Sequence, residues 1–233
     1  MTLHETQLRE TPLMSIEEAI RRRHSVRAFL PDEIPDAQLH AIFDLAQCAP
    51  SNCNVQPWTP HVVSGDALRK LRDALVAAAV ADLPPNPDWP VDGKYTGVYR
   101  ERQVDAAVKL YGAMAVDRRD LVARKKAFIR NHAFFDAPHV AFLFMRAPFD
   151  AREAADTGMY AQTLMLALVA RGIASCAQGA LSLYPDIVRG HLGLPSELRL
   201  LFGVSFGFED ISADANMARV GRAKLDDAVR FHR

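Results

Sequence analysis

The chain has 233 residues, 49% of them apolar, with 28 basic against 28 acidic side chains and a formal net charge of zero. That length gives one large domain or two small ones an ample core, and zero net charge argues against a nucleic-acid binder, which needs a concentrated positive surface. Cys48, Cys53 and Cys176 are odd in number with no secretory signal before them, and the longest uncharged apolar segment, Thr157 to Ala170, is shorter than the roughly 20 residues that span a bilayer, so a cytoplasmic protein with free thiols and no membrane span is expected.

Met1 to Leu13 lack periodicity and read as a loose arm. Ser15-Ile16-Glu17-Glu18 has the form of a capping box, with Glu18 reaching back, and predicts a short helix to about Arg23. Arg21, Arg22, Arg23 and Arg27 then crowd around His24 and Ser25. One reading is a helix ending in cations, which favour the negative end of the dipole. The other is a set of planar guanidinium forks that match phosphate oxygens. After this turn, Ser25 to Phe29 reads as extended, Pro31 and Pro35 bracket a turn, and Asp36 is expected to cap a second helix carrying Leu39, Ile42, Phe43 and Ala46.

The stretch Ala49 to Trp58 is rich in amides and broken by Pro50 and Pro57. It reads either as a surface loop of turn formers or as a loop lining a polar ligand. Thr59 to Ser64 follows as a strand, and Gly65-Asp66 starts a third helix. From Asp82 to Phe135 the chain makes an excursion, Pro-broken up to Pro90, with two helices expected at about Val98 to Met114 and Asp120 to Phe128. Its Trp89, Tyr95, Tyr99, Tyr111 and Phe128 could cover a substrate or pack onto their own domain, and its basic run from Arg118 to Lys126 reads as a solvated helix face.

His139 to Met145 reads as a central strand, apolar on both faces. Asp156 or Thr157 is expected to cap a helix from about Gly158 to Arg171, closed by Gly172 and so apolar that a subunit interface would be an economical cover. Ile173 to Gly179 is a strand entering a turn, a short helix follows Pro185, and Leu198 to Phe206 is a further strand. A second basic group, Arg219, Arg222 and Lys224, precedes an amphipathic end. No internal repeat or domain linker interrupts the chain, so residues 1–233 read as a single domain.

Gly203-Val204-Ser205-Phe206-Gly207 matches the nucleophile elbow of serine hydrolases. The elbow needs a sharp turn into a helix, yet Glu209 to Ala213 shows no amphipathic continuation, and only Asp226 or Asp227 with His232 could follow as triad partners. The glycines fit close packing in a strand better. Zinc spacings, the Rossmann glycine fingerprint and the Walker P-loop are all missing. Two separated arginine groups, an amide-rich loop and a Gln178-Gly179 turn after a strand suit a phosphorylated, hydrogen-bonding cofactor.

These features together resemble the FMN-dependent nitroreductase family over nearly the whole chain. The resemblance rests on Arg23-His24-Ser25 with Arg27 and Phe29, Ala49-Pro50-Ser51 with Asn54, Gln56-Pro57-Trp58, Gly158 and Gln162, Gly172, Gly203, Gly207 and the late arginines, and most specifically on Ser-Val-Arg followed by Pro-Ser-x-x-x-Gln-Pro-Trp. It implies an α+β fold, a central mostly antiparallel sheet flanked by helices in an intertwined homodimer, with two FMN sites at the subunit interface. Arg23, His24, Ser25 and Arg27 would meet the phosphate and the pyrimidine side of the flavin, with Arg219 or Arg222 completing the phosphate site. Pro50, Ser51, Asn52 and Asn54 would come from the other subunit, and Gln178 and Gly179 would bring backbone N–H groups near the flavin N5. Arg27 would stabilise negative charge at the flavin N1 and C2 carbonyl. NADH or NADPH would reduce the flavin, and a nitroaromatic or quinone-like acceptor would reoxidise it. The same fold could instead serve reductive dehalogenation or flavin breakdown.

Overall fold

Seven of the eight residues of the strand His139–Arg146 are buried, which places that strand at the centre of the molecule as its unbroken apolar run requires. In the computed structural model, which describes residues 14–91 and 94–233, it is the second of four strands: β1 (Trp58–Ser64), β2 (His139–Arg146), β3 (Ala174–Gln178) and β4 (Leu198–Gly207). They form one sheet in the order β1-β2-β4-β3, and every pairing is antiparallel. The loose arm expected at Met1 to Leu13 lies outside the described residues.

Alternation along β2 sorts the core into two layers. Val140, Phe142 and Phe144 pack with Leu68, Leu71 and Leu75 of α3 (Gly65–Val80) and Val188 of α7 (Pro185–Leu192). Ala141 and Leu143 face the other way, against Ile42 of α2 (Asp36–Ala46) and Tyr160, Leu164 and Leu168 of α6 (Ala151–Val169). Each fully buried Phe or Leu contributes about 1.5–3 kcal/mol of transfer free energy, so this helix–sheet–helix sandwich is held mainly by its two apolar layers. The fold is the expected α+β arrangement.

Close approach explains the two glycines of the elbow-like motif. A Cβ on Gly203 would lie 2.6 Å from Leu181 Cδ1, and one on Gly207 would lie 2.7 Å from Pro138 Cδ. Both positions sit inside β4, and Ser205 between them is completely buried. No turn into a helix follows Ser205, and its hydroxyl donates to Gln178 Oε1. The hydrolase reading is therefore overturned by geometry.

Two helix starts differ from expectation. Pro35 occupies the N-cap of α2, and Asp36 is its first residue with no capping bond. Helix α6 begins at Ala151, two turns before the expected start, and Glu153 accepts the Asp150 N–H at 3.0 Å in a capping box. Ala151 to Ala155 are good helix formers without an apolar stripe, so periodicity alone passes over them. Asp156 and Thr157 lie buried inside the helix. The expected need to cover α6 is also largely met within one chain, with Met159 on that helix left 41% exposed.

Ser15 caps α1 (Ile16–Arg22), accepting the Glu18 N–H at 3.2 Å, but the Glu18 carboxylate pairs with Arg22 at 2.8 Å instead of reaching back, so only half of the expected capping box forms. The excursion carries α4 (Gly97–Ala113) and α5 (Leu121–Ile129), the latter capped by Asp120, and α8 (Leu225–Ala228) is a single exposed turn. Among the described residues no helix is long and apolar enough to cross a membrane.

Candidate active site

The Arg-rich turn leaves α1 at Arg23 and runs along the free edge of β3, where Val26 N–H donates to Ser175 O at 3.1 Å. Val26 and Ala28 are buried while Ser25 and Arg27 are half-buried. Extended backbone alternates its side chains, so Ser25 and Arg27 emerge on one side. The other flank of the turn is bound by the chain after β4: Leu30 N–H donates to Phe208 O at 2.9 Å and Asp210 N–H to Ala28 O at 3.1 Å. His24 joins this tie, with Nε2 3.1 Å from Glu209 Oε1 and Nδ1 2.9 Å from Arg22 O.

This pairing brings the two basic groups together. Arg23, His24, Ser25, Arg27, Arg219 and Arg222 all line one cavity of about 930 Å³, closed by Gln162 and Met165 of α6, Ala177 of β3 and Leu110 of α4. Its volume suits a small-molecule or cofactor site. Among the described residues no Asp or Glu lines it. Among the described residues Arg23, Arg27, Arg219 and Arg222 make no ion pair, whereas Arg21 and Arg22 are engaged by Glu17 and Glu18 on the surface of α1. The Arg23 guanidinium is pulled below its usual value, by burial first and by the neighbouring positive charge of Arg222 second. Several cations gathered without a counter-charge are a donor set for an anion such as a phosphate ester, whose oxygens accept the guanidinium forks. Arg27 is steadied by a hydrogen bond from Nη1 to Ser25 O at 3.2 Å. Beneath it the Cys176 thiol is pushed up by burial, opposed by Arg27 and Ser25, and is buried.

The amide-rich loop lies elsewhere in the same chain. Pro50, Ser51, Asn52 and Asn54 are not among the residues lining this cavity. Asn52 N–H donates to the buried Asp156 carboxylate at 3.1 Å, and Gln56 N–H donates to Ser51 Oγ at 2.9 Å. Cys53, Asn54 and Gln56 all have positive φ, of 50°, 57° and 49°. For residues other than glycine this is a strained conformation, which persists only where the surroundings impose it.

Gln178 turns its side chain inward, donating from Nε2 to Asn131 O at 3.0 Å while accepting from Ser205. Gly179 opens a short 3₁₀ turn, Gly179–Ser182. Asn131 also lines a smaller pocket of about 220 Å³ on the far side of Arg27, walled by Tyr111, Phe128 and Phe135.

The five aromatic residues of the excursion separate in space. Tyr111 and Phe128 face Arg27 across this small pocket, and Tyr95 and Tyr99 are exposed. Trp89 packs under Arg199, with the guanidinium carbon 4.3 Å from the ring centroid. Beside it the Asp88 carboxylate accepts both Arg189 nitrogens, at 2.6 and 3.1 Å, and the Leu200 N–H at 2.7 Å. The Pro-rich start of the excursion is therefore welded to α7 and β4, and the excursion reaches the cavity through Ala106 and Leu110 of α4, while α5 walls the smaller pocket. Asp156, Asn131 and Asn216 are site-supporting residues that sequence reasoning missed, because each acts through contacts distant in sequence.

The model of the Nitroreductase family matches residues 20–208. The chain is 45% identical over 218 residues to Nitroreductase NfnB of Mycolicibacterium smegmatis, covering 93% of this chain and 92% of that one. It is 31% identical to a 4-nitrobenzoate reductase of Pseudomonas putida, over 91% of this chain and 93% of the other. Among solved structures, the FMN-dependent nitroreductase NfnB from Mycobacterium smegmatis in complex with NADPH superposes with a TM-score of 0.90 at 44% identity, over 93% of this chain and 97% of that chain.

Proposed function

The chain belongs to the nitroreductase family, and from that membership we propose that it is an FMN-dependent oxidoreductase that passes electrons from NADPH or NADH to nitroaromatic or quinone-like acceptors. The observation that carries this reading is the set of Arg23, Arg27, Arg219 and Arg222 around one cavity that no carboxylate lines among the described residues. A neutral ligand would leave those charges uncompensated, whereas a flavin phosphate answers them. Relatives described as FMN-dependent, as bound to NADPH and as 4-nitrobenzoate reductases support the same cofactor, reductant and acceptor class.

Bound there, FMN would supply the electron-carrying chemistry between nicotinamide and acceptor, in the two half-reactions of a ping-pong scheme. The chain's own residues then divide the work. Arg23, Arg219 and Arg222 with Ser25 hold the phosphate end. Arg27 places a fixed positive charge where negative charge develops, at no cost of reorganisation. The backbone at Gln178 and Gly179, which follows the cavity-lining Ala177 without lining the cavity itself, would border the reacting end, and the Gln178 side chain is locked inward by Asn131 and Ser205. Helix α4 would flank the bound cofactor through Ala106 and Leu110.

Pro50, Ser51, Asn52 and Asn54 are assigned to the cavity of a second copy in a homodimer. The strained left-handed run at Cys53 and Asn54, exposed and away from its own chain's cavity, supports that assignment. So does α4, which has no buried residue in one chain and leaves Val98, Tyr99, Val104 and Val108 exposed.

Equilibrium binding of FMN to the apoprotein tests the reading, together with steady-state assays of NADPH and NADH against a nitrobenzoate and a quinone. Tight FMN binding and a parallel-line kinetic pattern are expected. A protein that neither retains nor rebinds FMN would remove the proposal.

A further inference from the structure

We propose that Asn216 is a positioning residue that holds the two arginine groups of the cavity in register, an inference that rests on the FMN reading above. Asn216 is 2% exposed, in the short turn Asp214–Met217. Its side-chain amide is spent on backbone atoms of two segments. Oδ1 accepts the Arg27 N–H at 2.6 Å, and Nδ2 donates to Ala28 O at 2.8 Å and to Asp210 O at 2.9 Å. The Asn216 main-chain carbonyl accepts a hydrogen bond from the Arg219 guanidinium. One residue thus clamps the backbone that bears Arg27 and the side chain of Arg219.

The chemistry explains why an amide stands there. Arg23, Arg27, Arg219 and Arg222 line one cavity and repel one another until an anion arrives, so their spacing must be enforced by groups that bring no charge of their own. A carboxylate could accept the Arg27 N–H but could not donate to the two carbonyls, and it would compete with the phosphate for Arg219. A carboxamide both accepts and donates in one plane. Asn216 touches no cavity surface itself, which separates positioning from contact.

The test compares FMN with riboflavin, which lacks the phosphate. Apoprotein carrying Asn216→Ala or Asn216→Asp is titrated with each by fluorescence, alongside wild type and Val188→Ala, a core variant of α7 away from the cavity that matches for lost stability. If Asn216 sets the spacing of the arginines, FMN affinity falls by about tenfold or more in both Asn216 variants while riboflavin affinity falls less, since riboflavin loses only the placement of Arg27 and FMN also loses that of the phosphate contact Arg219. Val188→Ala should leave the FMN-to-riboflavin ratio at the wild-type value. An unchanged ratio in either folded Asn216 variant, or an equal fall in Val188→Ala, overturns the positioning role. A wild-type protein that binds FMN no better than riboflavin instead removes the phosphate-site reading on which the inference stands.

Discussion

Arg222, from the last segment of the chain, lies close enough to Arg23, at the end of the first helix, for its charge to push the Arg23 guanidinium further below its usual value than burial already does. Two cations held together in one cavity, with no ion-pair partner among the described residues, raise the free energy of the apoprotein and lower that of its anion complex. Inorganic phosphate at millimolar concentration should therefore raise the melting temperature of apoprotein by linkage. Arg222→Met should raise the apoprotein's stability slightly and weaken FMN binding by about 10- to 100-fold, the scale of a lost charge-assisted contact. Calorimetry and fluorescence titration check the two halves of this statement; unaltered FMN affinity in the variant would take Arg222 out of the phosphate site.

Arg27 should separate from the other arginines in its effect. Arg27→Ala is expected to weaken FMN retention modestly and to slow reduction by NADPH by about 10- to 100-fold, because a fixed charge near developing negative charge acts chiefly in the transition state. Single-turnover reduction of FMN-saturated variant measures the second effect free of the first. Equal rates in variant and wild type would remove Arg27 from the site.

Among the described residues the buried His132 has no hydrogen-bond partner on either ring nitrogen, and it lies between Phe128 and Tyr184. Burial drops its pKa from 6.5 to about 4. A depressed histidine is neutral in the fold and protonated more readily when unfolded. Its contribution is therefore fully present above about pH 6.5, declines as pH falls through the window between the two values, and is exhausted below about pH 4. The full loss is on the order of 3 kcal/mol. His132→Phe should flatten urea-derived stability across that window, and a slope matching wild type would show that another group carries the acid sensitivity.

The Asp88 to Arg189 pair is nearly buried, with side chains 13% and 10% exposed. Removing the carboxylate leaves Arg189 only Asp186 and the Leu198 carbonyl and strands the Leu200 N–H, so Asp88→Ala should cost about 1–3 kcal/mol. The pair lies among residues that do not line the cavity, so kcat with saturating FMN should stay close to wild type. A matching loss of kcat with stability unchanged would mean that the clasp serves catalysis instead of anchoring the excursion.

Features that depend on local chemistry were readable along the chain. Ser15 caps its helix because a hydroxyl followed by a good helix former needs no distant help. The unbroken apolar run of β2 announced a central strand, and Gly203 and Gly207 read correctly as close-packing positions. The Arg-rich turn was legible as a candidate site because its residue types are costly to gather without a partner. Long-range polar contacts left no such trace. Asp156 looks like a helix cap in sequence, yet it holds Asn52 from inside α6. Asn216 sits in an undistinguished Asp-Ala-Asn-Met stretch, and its role depends on Arg27 and Ala28, far away in sequence. Trp89 was grouped with aromatic residues that share only its segment, since composition cannot reveal that Arg199 and Asp88 pin it to the opposite side.

The most direct test mixes FMN-loaded protein with NADPH under anaerobic conditions, removes the excess reductant, and then adds a nitrobenzoate while the visible flavin band is followed. The band should bleach on the first addition and return on the second, with product formed in proportion to the flavin present. A band that NADPH and NADH both leave unbleached, or one that bleaches but is never restored by nitroaromatic or quinone acceptors, would contradict assignment of the protein as a nitroreductase-type oxidoreductase.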